Sequence, residues 1–209
     1  LFRSQGQRNL MFLLSGLGNT IQVSLTAIAI AMAAGLVVGM LGIARNPAAR
    51  AFNRGYVELV RAIPILVLVL WVYYGLPVLF ESAGLKVNFD VFSAGVIALA
   101  LSDSAFQAEI FRAGIQSIDR GQHEAADSIG LTYVDKMRYI ILPQAIRRIL
   151  PPLGNQFVYM LKMSSLVSVI GMTELTRRAN ELVVAEYRDR KSTRLNSSHV
   201  SESRMPSSA

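Results

Sequence analysis

The sequence predicts an all-α membrane protein, and three observations carry that prediction. First, 52% of the 209 residues are apolar and only 17% are charged, with a mean hydropathy of +0.39. Soluble domains carry about 25% charged residues. Second, the apolar excess is concentrated. No charged residue stands between Arg8 and Arg45, or between Arg61 and Glu81. A helical span needs roughly 20 mostly apolar residues, so both intervals qualify. Third, the net charge of +7 is carried by bases in the links between apolar runs. That is a pattern of membrane orientation rather than of a nucleic-acid-binding face.

Composition also excludes chemistry. There is no cysteine, and the two histidines, His123 and His199, make no convincing metal site. No metal and no nucleic-acid partner are therefore expected. The stretch "AAGLVVGM" lacks the lysine of a phosphate-binding loop, and no serine–histidine–acid arrangement is readable, so the chain is expected not to be an enzyme. The first residue is leucine, and the natural start is expected to precede it. The uncharged run 9–44 is too long for the apolar part of a signal peptide.

Four apolar segments follow in order. The first is placed at residues 20–44, with "SGLGNT" (15–20) as the breaker before it and Asn19 or Thr20 as its cap. Gly35 and Gly39 form a small-xxx-small pair suited to close helix packing. The second, residues 56–79, is expected to kink near its beginning at Pro64 and weaken at "GLP" (75–77). Trp71, Tyr73 and Tyr74 serve either an interfacial belt or helix packing. The third, residues 91–111, carries Asp103, Gln107 and Glu109, which must face protein, water or an interface. The fourth, residues 149–173, holds Lys162 as its only charge before Glu174, and Pro151, Pro152 and Gly154 predict a broken beginning.

Orientation follows from the links. Arg45, Arg50, Arg54 and Arg61 lie between the first two segments, and Arg112, Arg120, Lys136, Arg138, Arg147 and Arg148 between the last two. The middle link has Lys86 alone. Loops 45–61 and 112–148 are therefore assigned to the cytoplasm and the N-terminus to the outside. Arg3 and Arg8 mildly oppose this. Residues 190–209, "RKSTRLNSSHVSESRMPSSA", are polar and serine-rich. They are read as a non-native or disordered tail, resembling translated cloning or adapter DNA.

The stretch "GQHEAADSIGLTYVDKMRYIILP" interrupts this apolar chain. Asp119 to Ile129 reads as a short helix, ended by Gly130 in a left-handed conformation. Thr132 starts another helix, with Asp135 completing a capping box. On these grounds alone the element is a structural elbow or a docking knob.

The spacing is more specific. Glu124, Ala125 and Ala126, then Gly130, then Ile140, Leu142 and Pro143 resemble the signature of permease subunits of ATP-binding-cassette (ABC) importers. The flanks "NTIQVS", "YVELVRAIP", "YYGLP", "AEIFRAGIQSIDRGQ", "ILPQAIRRILPPLGNQF" and "SLVSVIGMTEL" resemble the polar amino acid branch, over residues 19–187. The resemblance implies a type I permease (MetI-like) fold, with four spans present and a fifth expected to be missing. Residues 1–189 would form one transmembrane domain, incomplete at both ends, with a coupling loop at about 113–148. Its setting would be the bacterial inner membrane.

The resemblance further implies that residues 121–131, from Gly121 to Leu131, dock into a groove of a separate ATPase subunit, which would bind the ATP and Mg. A solute-binding protein, a second permease copy or homologue, and an amino acid substrate are the other implied partners. Glu124 would pair with the ATPase or cap its own helix, and Ala125 and Ala126 would provide steric fit. Candidate path residues are Asp103, Gln107, Glu109, Asn155, Gln156, Lys162, Ser164 and Ser165, since a zwitterion needs polar partners on leaving water. Glu109 is alternatively paired with Arg112, and Lys162 alternatively reaches water or carbonyls.

Two departures stand out. The family's "RGTPLLVQ" is here "RAIPILVL", and "LLKDTSLVSVI" is "MLKMSSLVSVI", with Met163 where an acid follows the lysine. That either tunes the path toward an acidic amino acid or is compensated from another helix. The alternatives to an amino acid importer are an importer of another small solute and an ion-coupled secondary transporter.

Overall fold

The computed structural model describes residues 2–173 and 175–184. The tail assigned to 190–209 lies outside the described residues. Every regular element among the described residues is helical: α1 (Phe2–Ile43), α2 (Pro47–Ala62), α3 (Ile65–Leu70), α4 (Leu76–Ser82), α5 (Val91–Gln116), α6 (Arg120–Ser128), α7 (Tyr133–Lys136), α8 (Leu142–Met163) and α9 (Leu175–Val184). Three helical stretches are long and apolar enough to cross a membrane: Asn9–Ile43, Ile65–Ser82 and Val91–Gln116. A fourth is formed if Tyr133–Ile170 and Leu175–Val184, bent by 59°, count as one span.

The expected breaker at 15–20 does not break α1. Asn19 and Thr20 instead hold the far end of the chain. The Asn19 amide donates to the Thr173 carbonyl (2.8 Å), and the Leu175 N–H donates to the Thr20 hydroxyl oxygen (3.1 Å). The second segment also differs from expectation. Its helix starts earlier, at Pro47, capped by Asn46 (Ala48 N–H to Oδ1, 2.9 Å). It then breaks outright at Ile63, whose extended backbone (φ −91°, ψ 123°) is what a following proline favours.

Two π-helical turns, Trp71–Gly75 and Met137–Ile141, each end two residues before a proline, Pro77 and Pro143. A proline lacks the N–H and crowds the carbonyl four residues back. The wider π turn relieves that crowding. The predicted broken start of the fourth segment is not observed, because α8 runs through Pro151 and Pro152 unbroken. Both prolines are exposed, and helices in membranes tolerate proline where neighbouring groups serve the freed carbonyls. The interruption comes later, as a 3-10 turn Ser164–Ile170 closed by Gly171 at φ 106°.

The centre of the fold is α1 against α5. A β-carbon added at Gly35 would lie 2.8 Å from Gln107 Cβ, and one at Gly39 would lie 2.7 Å from the Ala108 carbonyl oxygen. The expected small-residue pair thus sets this backbone approach. One apolar cluster gathers Val23, Ala27, Val69, Val72, Leu99 and Met160. A second, toward the α6 end, joins Phe111 and Ile115 to Ile141, Ala145 and Ile149. Tyr73 packs against the first cluster, while Trp71 and Tyr74 are about half exposed. The aromatic trio therefore divides between packing and surface.

Candidate functional site

The element between α5 and α8 is built by capping at both ends of α6. Asp119 accepts from the Gly121 N–H (2.6 Å) and opens the helix. At its close, the Leu131 N–H donates to the Ala126 carbonyl (3.1 Å) and the Gly130 N–H to the Asp127 carbonyl (3.0 Å). These paired bonds form a Schellman motif, which places Gly130 in the left-handed region at φ 75°. Thr132 then caps α7, accepting from the Asp135 N–H (3.2 Å), while its hydroxyl donates to the Asp135 carboxylate (2.6 Å). The expected capping box differs in that return arm, which meets the hydroxyl instead of the backbone N–H.

Side chains then join α6 to α7 and α8, and α8 to the end of α5. Lys136 pairs with Asp127 (2.6 Å), the Gln144 amide donates to Gln122 (3.1 Å), and the Arg148 guanidinium donates to the Ser117 carbonyl. Ile140 packs against the second apolar cluster. Glu124 and Ala125 are exposed, as are Gly121, Gly130, Leu142 and Pro143, while Leu131 is half-buried. Ala126 is 0% exposed, its methyl covered by other residues of this chain, whereas its neighbour Ala125 faces outward. Ile129, Tyr133, Val134 and Tyr139 are each more than 60% exposed. Sequence reasoning missed the last three as a surface, though an apolar run beside a helix cap was the available signal.

The second group lies among α2, α5 and α8. Asp103, 1% exposed, accepts from the Gln107 amide (2.5 Å) and from the Gln156 amide (2.5 Å). The second bond ties α5 to α8. Six residues along α5, Glu109 accepts from Arg112 on both carboxylate oxygens, and Arg112 also donates to Gln116 (2.6 Å). The alternative pairing of Glu109 with Arg112 is thus the one observed. A cavity of about 650 Å³ adjoins these groups, lined by Arg61, Phe106, Glu109, Arg148, Asn155 and Gln156 among others. The Arg61 guanidinium lies over the Phe106 ring, 4.8 Å from its centroid.

Five of the eight candidate path residues therefore gather in one region. Lys162, Ser164 and Ser165 do not line that cavity. The Ser164 and Ser165 hydroxyls donate to carbonyls of their own turn, Leu161 (2.7 Å) and Lys162 (2.8 Å). The Lys162 side chain is exposed and makes no ion pair among the described residues. Arg61 and Phe106 were not anticipated, because their approach depends on how α2 crosses α5. No cluster of metal-ligating side chains occurs among the described residues.

Known proteins match this arrangement. Residues 27–186 match the family described as "Binding-protein-dependent transport system inner membrane component". The chain is 41% identical to the probable glutamine ABC transporter permease protein GlnM of Bacillus subtilis, over 82% of this chain and 77% of that one. It is 39% identical to the glutamine transport system permease protein GlnP of Escherichia coli K12, over 75% and 72%. Among solved structures, one titled as an amino acid ABC transporter with histidines superposes with a TM-score of 0.78 at 41% identity, covering 90% of this chain and 84% of that one. An inward-facing MetNI methionine ABC transporter gives 0.65 at 18% identity, over 87% and 93%, and supports the MetI-like fold alone. Transport, not catalysis, is the work of such a component, and ATP hydrolysis resides in a separate subunit. The chain belongs to the binding-protein-dependent inner membrane transport family, as a multi-pass permease subunit for ABC-mediated uptake of polar amino acids.

Proposed function

We propose that this chain forms, with a second permease subunit, the path of a glutamine-class importer and couples it to ATPase subunits through α6. Residues 1–189 act as the single transmembrane domain, with 113–148 as its coupling loop. In this reading α1 begins outside the cell, and loops 45–61 and 112–148 face the cytoplasm, where their arginines fit the positive-inside rule. A separate solute-binding protein delivers the amino acid, and the ATP and Mg sit on the ATPase.

The observation that carries the coupling role is the double capping of α6 together with its bonds to α7 (Asp127–Lys136) and α8 (Gln122–Gln144). A short helix fixed at both ends transmits displacement to the spans, which a loose loop does not. Ala125, Glu124, Ile129 and Tyr133 are exposed on this element and supply the contact surface. In the path, Glu109, Asn155, Gln156 and Arg61 offer both charges and amides around one cavity, a set complementary to a zwitterion with an amide side chain.

The test is reconstitution with the cognate ATPase and binding protein, reading glutamine-stimulated ATP hydrolysis and uptake. Both are expected in the wild type. Asn155→Leu is expected to lower uptake while the assembly persists. Stimulation by glutamine that is equal in the absence of this chain would overturn the assignment.

A further inference from the structure

A second cleft of about 430 Å³, which shares Arg61 and Glu109 with the larger cavity, lies between α2 and the last turns of α5, lined by Arg50, Arg54, Glu58 and Arg61 on one side and Glu109 and Arg112 on the other. At about 100° per residue, the four α2 side chains fall within an arc of roughly 80°, so one helix face supplies all of them. Glu109 is already held by Arg112. Among the described residues, Arg50, Arg54 and Glu58 have no ion pair or side-chain hydrogen bond. The cleft therefore retains three guanidinium groups against one uncommitted carboxylate.

The opposite face of α2 exposes Phe52 (58%) and Leu59 (67%). A helix with bases on one face and large apolar side chains on the other is built to meet lipid headgroups. The cleft opens where α1 and α5 end, near Gly42 and Gln116, that is, at the boundary of two membrane-crossing helices. Basic pockets between such helices receive anionic headgroups. Guanidinium groups suit phosphate because their planar fork makes two parallel charge-assisted bonds.

We propose that this cleft binds a phosphate group, held by Arg50 and Arg54 with Arg61 at its inner wall. The membrane's anionic phospholipid is its source, and free phosphate is the competing one. Glu58 lies four residues beyond Arg54 and orients that guanidinium when the site is filled. Nothing in this inference depends on which side of the membrane α6 occupies or on the identity of the transported solute.

The experiment uses the detergent-solubilised permease–ATPase complex, titrated with short-chain phosphatidylglycerol, phosphatidylcholine or inorganic phosphate and read by native mass spectrometry. Phosphatidylglycerol is expected to bind saturably and phosphatidylcholine weakly. Arg50→Gln/Arg54→Gln is expected to weaken phosphatidylglycerol binding about tenfold or more, as removal of two near-surface bases implies. Arg147→Gln, outside the cleft, is expected to bind as the wild type does. Saturable inorganic phosphate binding with the same arginine dependence would uphold the site and assign it to the soluble anion. Where the double variant does not assemble, Arg54→Gln alone is read in the same way. Unchanged phosphatidylglycerol binding in these variants would overturn the proposal. So would loss of the ATPase subunit with lipid binding intact, which would assign the arginines to a protein interface.

Discussion

The Gln156 amide donates to the Asp103 carboxylate at 2.5 Å, and this bond joins α8 to α5 across the region where the candidate path residues gather. Gln107 occupies the other carboxylate oxygen from within α5. One buried acceptor group thus serves two amide donors. Replacing Asp103 with alanine leaves both donors without that acceptor, and each unsatisfied buried group costs about 1–3 kcal/mol. Asp103→Ala is expected to lower the thermal midpoint of the purified permease clearly more than Asp103→Asn, which retains one oxygen. A double-mutant cycle of Asp103→Ala with Gln156→Leu should return a coupling energy of roughly 0.5–3 kcal/mol. Strict additivity would mean that the two helices are not joined through this pair.

The α1–α5 contact makes a second prediction. At Gly39, an added methyl would meet the Ala108 carbonyl oxygen at 2.7 Å, and backbone cannot turn aside as a side chain can. Gly39→Ala is expected to destabilise by about 1–3 kcal/mol, as overpacking does. At Gly18, on the same helix, nothing lies within 4 Å. Gly18→Ala is expected to be neutral or slightly stabilising, since alanine is the better helix former. Thermal unfolding of the two variants side by side distinguishes a specific close approach from a general intolerance of α1 to substitution.

Glycines also show how much the chain discloses before folding. The spacing of Gly35 and Gly39 pointed to close packing, and Gly130 to a left-handed helix end, because both follow from local sterics. Charge gaps located the spans for a similarly local reason, the cost of charge in lipid. What failed was propensity where distant contacts decide. Ser15 to Thr20 reads as a breaker, yet Asn19 and Thr20 are bonded to Thr173 and Leu175 at the other end of the chain. Pro151 and Pro152 read as a break, yet α8 carries them on an exposed face. In the candidate path, Asp103, Gln107 and Gln156 were each suspect as polar groups in apolar segments. Asp103 and Gln107, four apart on α5, meet by local helix geometry, but the arrival of Gln156 at Asp103 and of Arg61 over Phe106 is non-local and had no sequence signal.

Asp90 supplies a prediction about pH. It caps α5, accepting from the Ser93 hydroxyl (2.5 Å) and from the Phe92 and Ser93 N–H groups (3.1 and 3.3 Å). The Ser93 hydroxyl foremost, then the Ser93 N–H, hold its carboxyl below the ordinary carboxylate range, and the Phe92 N–H adds less than the opposing effect of burial removes. A depressed folded value means the contribution is fully present above the ordinary value near pH 4 and is lost as pH falls through the folded one. Asp90→Asn keeps a capping oxygen but cannot titrate. Thermal midpoints recorded from about pH 7 down to about pH 3 are expected to fall less steeply for Asp90→Asn than for the wild type. Parallel curves would show that this cap does not contribute to the acid dependence.

Ala125 and Ala126 are adjacent and differ in what covers them, and that difference separates folding from coupling. Ala126 is 0% exposed and its carbonyl closes the Schellman turn, whereas Ala125 faces outward. A leucine at 126 must displace the permease's own atoms, at a cost of about 1–3 kcal/mol. A leucine at 125 adds a side chain to open surface, so the isolated permease should unfold as the wild type does. If α6 seats in a groove of the ATPase, Ala125→Leu is expected to weaken co-purification of that subunit and to reduce solute-stimulated hydrolysis. Ala126→Leu is expected to lower the thermal midpoint of the permease even without its partner. Normal ATPase association and stimulation in Ala125→Leu would remove that face of α6 from the docking surface, leaving the helix as a structural elbow between α5 and α8.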